Sequence, residues 1–290
     1  MSVTVRNLGF AYRERMVLRE ISLSLRPGEM VGFLGPNGSG KSTFLKNLLG
    51  FLRPSQGRIV FAGLGENPAP KQLARRLALV PQCSPHRPLL SVKEFILMGR
   101  LPHLKDRWAG YDEGDRRKTA EVMATLDLAP LADRYVTELS GGEFQKAVIG
   151  RCLVQEGDIL LLDEVTTGLD LNHTIEIMEL MRKKADEERK TILAVLHDLN
   201  LAAQYCDRLM LLKDGRICHQ GRPPEVLTTE VVEKIYGVSA AVRIDERGRP
   251  YVLPRRAEPA GEPVNGSAGA PSAARRAGTA GKRQEAARVY

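Results

Sequence analysis

The segment Gly35-Pro36-Asn37-Gly38-Ser39-Gly40-Lys41-Ser42-Thr43 constrains the fold of this chain more than any other. It follows a continuous apolar run, Met30–Leu34, and precedes a helical pattern over 41–49. A run of that kind is typical of a strand buried on both faces. Three glycines in the loop let the backbone bend round an anion with no Cβ in the way. Successive N–H groups then point into the loop, and the end of the following helix adds its positive pole. The spacing fits GxxxxGK[ST], in which Lys41 reaches the β- and γ-phosphates of a nucleotide and Ser42 offers a hydroxyl to Mg2+.

The rest of the chain agrees with a P-loop unit inside a larger sheet. Residues 3–5 and 21–25 alternate apolar and polar, which predicts an antiparallel sheet near the N-terminus, and Pro27-Gly28-Glu29 marks a turn. Further core strands are predicted at 77–81, 159–163, 191–196 and 209–212, with helices at 143–155 and 172–189. Strands alternating with helices imply a mostly parallel sheet covered on both faces. Residues 84–155 break the rhythm and read as a helical lobe inserted between two core strands, with polar interruptions over 103–115. Residues 242–244 and 250–253 read as a small hairpin. The expected fold class is α/β: a P-loop NTPase with a mostly parallel core sheet, an N-terminal antiparallel β subdomain and an inserted helical subdomain, spanning 1–254.

Composition sets the outer limits. Residues 255–290 hold seven Lys/Arg against three Glu, half of the chain's net charge of +8, and half of their positions are Ala, Gly or Pro. Such a segment cannot bury enough apolar surface to offset its ordering entropy, so it reads as a disordered, solvated tail. The remainder is too weakly basic for a nucleic-acid surface, and no specific nucleic-acid binding is expected. Cys83, Cys152, Cys206 and Cys218 stand far apart, without the CxxC spacing of metal or redox sites, and read as reduced thiols. No apolar run approaches the roughly 20 residues of a membrane span, and the first residues lack a leader pattern. A cytoplasmic chain doing any membrane work through a partner is expected.

A second acidic feature complements the loop. Ile159-Leu160-Leu161-Leu162-Asp163-Glu164 carries two carboxylates to the end of an apolar strand, the edge where open parallel sheets bind ligands. Asp163 is placed to hold Mg2+ and Glu164 to polarise an attacking water. Leu139-Ser140-Gly141-Gly142-Glu143, just before this strand, is another loop of free N–H groups ahead of a helix beginning near Glu143. One nucleotide does not need two such cradles from one chain, whereas two chains head to tail would use both. The residues alone also permit a plain capped turn.

Leu139-Ser140-Gly141-Gly142-Glu143 resembles the signature motif of ATP-binding cassette (ABC) ATPases, and the resemblance runs from about residue 3 to about 240 with the motifs in family order. The resemblance implies an ATPase that works with ATP and Mg2+ as a homodimer. It places Tyr12 against adenine, makes Gln82 the Q-loop glutamine that senses Mg2+ and the γ-phosphate, and sets Asp170 of the loop 167–170 at the dimer seam. His197, at a strand end where a histidine is otherwise structural, becomes the γ-phosphate switch. Ser140, Gly141 and Gly142 would cap the partner's ATP. A groove over 83–99 would grip a short helix of an integral membrane permease. Departures from the family pattern are Phe144 where Arg, Gln or Lys is commoner, Lys146 for Arg, Val165 for a frequent proline, and Thr166-Thr167-Gly168 ahead of Asp170; none removes a group facing phosphate, metal or water.

Residues 98–103 and 197–207 resemble the bacterial importers of iron–siderophores, haem and cobalamin, as do 212–216, 223–227 and 236–238. The resemblance implies a peripheral subunit at the cytoplasmic face of a bacterial membrane, served indirectly by a substrate-binding protein. The alternatives are an importer of zinc, manganese or another small solute, and a soluble ABC ATPase acting on DNA or ribosomes. The absence of a coiled-coil arm, a second cassette or a Cys cluster counts against the last.

Overall fold

The N-terminal alternation folds as β1 (Val3–Tyr12) and β2 (Arg15–Leu25), both longer than the period-two pattern predicts. Register shifts between Val5 and Leu8 and again before Phe10 break the alternation, so Leu8, Gly9 and Phe10 are all buried and the pattern disappears from the sequence. Next come β3 (Met30–Leu34), α1 (Lys41–Leu48), β4 (Gln56–Phe61), α2 (Pro70–Ala74) and β5 (Leu77–Val80). The inserted lobe contributes α3 (Val92–Leu97), a 3-10 turn (Met98–His103), α4 (Glu113–Thr125) and α5 (Gly141–Val154). The chain returns through β6 (Ile159–Asp163), α6 (Leu171–Glu188), β7 (Thr191–Val195), α7 (Leu199–Tyr205), β8 (Arg208–Lys213) and β9 (Arg216–Gly221). It ends in α8 (Pro223–Val226), α9 (Thr229–Tyr236) and the hairpin β10 (Ala240–Ile244) and β11 (Pro250–Pro254). The computed structural model describes residues 1–82, 87–105 and 110–256. The readings of Cys83 and of the tail beyond Arg256 lie outside those residues.

The core sheet has the order β5-β6-β7-β3-β8-β9, parallel throughout except for the antiparallel edge pair β8–β9; β2-β1-β4 form the antiparallel sheet. Side chains alternate across the core sheet. Met30, Leu34, Ala78, Val80, Leu160, Leu162, Ile192, Ala194, Leu209 and Leu211 join the core shared with the inserted lobe and α6–α9. Val31, Phe33, Leu77, Ile159, Leu161, Leu193, Val195, Met210 and Leu212 join the core shared with α1 and the antiparallel sheet. Each such large side chain stabilises the fold by roughly 1.5–3 kcal/mol on burial. Two strands leave no apolar pattern to find: β4 is polar and exposed over Gln56, Gly57 and Arg58, and the edge strand β9 is half-exposed.

The inserted lobe is tied to the sheet by polar groups at the 3-10 turn. Arg100, buried to 7% side-chain exposure, donates to Asp115 Oδ1 at 2.7 Å, Glu156 Oε2 at 2.7 Å and Val154 O at 2.8 Å. Gln155 Nε2 donates to Ala74 O and Leu77 O, and His103 Nε2 lies 2.9 Å from Gln155 O. Burial pushes the Asp115 carboxyl up, but the Arg100 guanidinium and the Asp112 backbone outweigh it and hold the group below the ordinary carboxylate range. A depressed pKa contributes stability above the ordinary range that is lost as pH falls through the folded value. Asp115→Asn should therefore cost about 2 kcal/mol in denaturant unfolding at neutral pH, by removing one of the two carboxylates that hold the buried Arg100. The gap from the parent chain should narrow on acidification.

Candidate active site

The loop leaving β3 is shaped by backbone crowding. Gly35 has φ 145°, and a Cβ there would stand 2.0 Å from the Leu212 carbonyl of β8, so no larger residue fits this turn. Gly40, at φ 109°, occupies the N-cap of α1. Pro36 is half-buried, Asn37 and Gly38 are exposed, and the Ser39 hydroxyl is buried without a hydrogen-bond partner. Lys41 folds back into the loop and donates to Gly35 O at 2.7 Å and Pro36 O at 3.0 Å. Burial lowers its pKa, opposed by the charges of Glu164 and Asp163. Ser42 is exposed and Thr43 half-buried on the first turn of α1.

Asp163 ends β6 with the same strand parity as Ile159 and Leu161, the parity of the α1 side of the sheet. Burial raises its pKa, the Glu164 charge adds to this, and Lys41 opposes both. Its Oδ1 is buried with no hydrogen-bond partner. A buried, orphaned carboxylate oxygen is a hard donor, and it fits a divalent cation such as Mg2+.

Glu164 is the most constrained residue of the site. Its φ is 53°, a left-handed conformation costing a non-glycine residue roughly 1–2 kcal/mol. The backbone around it is pinned: Glu164 N donates to Val195 O at 3.2 Å, and Gln145 Nε2 of α5 donates to Val165 O at 3.0 Å. The side chain is clasped from both sides, with Gln82 Nε2 donating to Oε2 at 2.9 Å and His197 Nε2 lying 2.6 Å from Oε1. Gln82 thus meets Glu164 in this structure. Tyr12 stands at the end of β1, 43% exposed, with its ring 4.8 Å from that of Phe10 at 84°.

A second cluster forms where α5 and α6 begin. Helix α5 starts at Gly141, two residues earlier than expected, because Ser140 caps it: Ser140 Oγ accepts from Glu143 N at 3.3 Å and Glu143 Oε2 accepts from Ser140 N at 2.7 Å. Capping uses a lone pair of the hydroxyl and leaves its O–H free to donate, so a capped turn and an anion cradle coexist. Gly141 is exposed. Asp170 caps α6 by accepting from His173 N at 2.9 Å, and its Oδ2 lies 2.8 Å from His173 Nδ1. A Cβ on Gly142 would stand 2.9 Å from His173 Nε2, so this glycine lets α6 approach the loop. Among the described residues no hydrogen bond joins this cluster to the P-loop. Sequence reasoning missed Gln145 and His173. Gln145, a polar residue at a fully buried position of α5, carried a signal; His173, on an exposed first turn, carried none.

Comparison with known proteins agrees with this geometry. The profile of the ABC transporter family matches residues 18–167. The petrobactin import ATP-binding protein FpuC of Bacillus anthracis is 38% identical over 88% of this chain and 93% of its own length. The hemin import ATP-binding protein HmuV of Pseudomonas aeruginosa is 41% identical over 87% of this chain and 99% of its own. Among solved structures, a metal-chelate type ABC transporter in an inward-facing conformation aligns with a TM-score of 0.77 and 27% identity, over 88% of this chain and 98% of that one. The chain belongs to the ABC transporter ATP-binding family, and it is an ATPase.

The crowding at Gly35 makes a direct test of the loop. Gly35→Ala should displace the turn and weaken ATP binding by more than about tenfold, read by equilibrium titration. Its melting temperature should shift far less than its affinity.

Proposed function

We propose that this chain is the ATP-hydrolysing subunit of an importer for a metal chelate, namely an iron–siderophore, haem or cobalamin, and that it works as a homodimer on a membrane permease. The observation that carries the reading is the convergence of Lys41, Asp163, Glu164, Gln82 and His197 on one sheet edge in a chain whose near-full-length relatives are import ATP-binding proteins. The relatives' names favour this cargo class over zinc or manganese, and over a soluble role on DNA or ribosomes.

The chain's own groups then act in sequence. Tyr12 packs on adenine with its open face. The N–H groups from Gly35 to Thr43 bind phosphate oxygens, and Lys41 turns from the Gly35 and Pro36 carbonyls to the β- and γ-phosphates. Ser42, Asp163 and Gln82 would hold Mg2+, which would draw charge from the phosphates. When Gln82 lets go of Glu164, the freed side of the carboxylate takes up the attacking water while His197 turns to the γ-phosphate. Ser140, Gly141 and Gly142 of a second copy cap the same nucleotide, with Asp170 at the seam. This two-copy arrangement gives both clusters of the chain a use, and closure and reopening of the pair follow nucleotide binding and hydrolysis.

No helix of the described residues is long and apolar enough to cross a membrane. A cavity of about 1030 Å3 lies between the α1–β4 loop and the 3-10 turn, lined by Phe51, Leu52, Arg53, Met98, Leu101 and Arg151. Phe51 is 71% exposed beside it. Its apolar lining suits a short permease helix, and Met98 and Gly99 belong to the groove expected over 83–99.

Glu164→Gln should still bind ATP, hydrolyse it at under about 1% of the parent rate, and accumulate as a dimer in Mg·ATP on size-exclusion chromatography. A variant that turns over normally removes Glu164 from the reaction. Recovery of a polytopic permease and a chelate-binding protein with the tagged chain supports the importer reading; recovery of ribosomes or DNA alone overturns it.

A further inference from the structure

Residues 90–92 and residues 134–136, which lead to the Ser140 loop, lie side by side. Val92 N donates to Arg134 O at 2.9 Å, Ser91 bridges to Tyr135, and Val136 N donates to Leu90 O at 2.9 Å. The pairing is antiparallel; beyond it residues 136–138 turn as a 3-10 helix and bring Leu139 to Arg87. There the Arg87 guanidinium donates to the Leu139 carbonyl, the last acceptor before Ser140. The guanidinium also lies over the ring of Phe144, on the first turn of α5, 4.6 Å from its centroid.

Phe144 is the residue that departs from the cationic or amide side chain common after this motif. Its ring is 3% exposed and packs on Phe95 with centroids 5.8 Å apart. Phe95 in turn lies 4.5 Å from the Arg151 guanidinium, which lines the cavity beside the 3-10 turn. A cation over a desolvated aromatic face is held more firmly than one at an open surface. A guanidinium can also donate in the ring plane while stacking through its face, which a lysine does only in part.

We propose that Arg87 is a positioning residue for the signature loop. It fixes the Leu139 carbonyl and the first turn of α5, and so aims the Ser140 hydroxyl and the Gly142 N–H at the nucleotide held by the second copy. Arg87 thereby ties the segment paired with residues 134–136 to the loop that those residues lead into. The proposal rests on the reading that this loop caps ATP across the dimer.

The consequence is selective. A residue that aims a loop at the partner's nucleotide affects closure and turnover, while the chain's own P-loop keeps its affinity. In Arg87→Ala, loss of one carbonyl hydrogen bond and one cation–π contact should lower kcat about tenfold, with ATP binding to the single subunit changed by less than about twofold. Arg87→Lys should recover part of the turnover. Phe144→Leu should lower kcat as well, and the double variant should be no slower than the slower single one, since both remove the same contact.

The experiment measures steady-state ATPase of the full chain, equilibrium ATP binding at subunit concentrations below dimerisation, and thermal melting, for these variants and Ser140→Arg. Inactive Ser140→Arg beside Arg87→Ala and Phe144→Leu at the parent kcat would overturn the positioning role and leave the loop reading intact. Ser140→Arg turning over at the parent rate would overturn both. A kcat loss in Arg87→Ala matched by an equal loss of single-subunit ATP affinity, or multiplied rather than shared in the double variant, would also overturn it.

Discussion

Backbone register across the core sheet is the constraint on which the site depends. Val80 of β5 pairs with Leu162 of β6, Asp163 of β6 with Val195 of β7, and Val195 with Phe33 of β3. Parallel strands in this alignment deliver the turn at Gly35, the pair Asp163-Glu164, and His197 to one edge at nearly one level. Gln82 follows from β5 at the same edge. A one-residue slip of β6 would exchange its faces, sending Asp163 to the lobe side and Leu162 into the phosphate side. The slip is opposed by the apolar core on each face, so packing far from the nucleotide fixes the position of the carboxylates.

The charged groups gathered at that edge satisfy one another. Lys41 lies on two carbonyls of its own loop, and Glu164 lies between Gln82 and His197. Burial costs these groups solvation, visible in the lowered Lys41 and raised Asp163 pKa values. The partners they hold are thus exchangeable: an incoming phosphate can replace a carbonyl at Lys41 because both are oxygen acceptors. Ser39 Oγ and Asp163 Oδ1, each buried without a partner, are the atoms with most to gain.

Helix α5 ties together regions that the chain keeps far apart. Its first turn carries Ser140 and Phe144, its second turn sends Gln145 to the carbonyl beside Glu164, and its last turn carries Arg151 to the cavity beside the 3-10 turn. Fourteen residues span about 21 Å. Eight of its fourteen residues are buried. Its junction with the sheet is polar where Arg100 meets Asp115 and Glu156, and apolar where it faces β5.

The sequence by itself determined the class of fold and the kind of ATPase. A phosphate loop needs glycines, a lysine and a hydroxyl in one short stretch, and strands buried on both faces show as apolar runs, so the P-loop, Asp163, Glu164 and His197 were legible at the ends of β3, β6 and β7. Those requirements are local and leave local marks. The polar strands β4 and β9, the bulges in β1, and the contacts of Gln145 and His173 left faint marks or none, because they depend on what lies opposite. Only the tertiary structure decided that Gln82 reaches Glu164 across 82 positions, and that Arg87 lies over Phe144. Pairings of that kind are set by strand order and helix packing summed over many weak contacts, and no single residue records them.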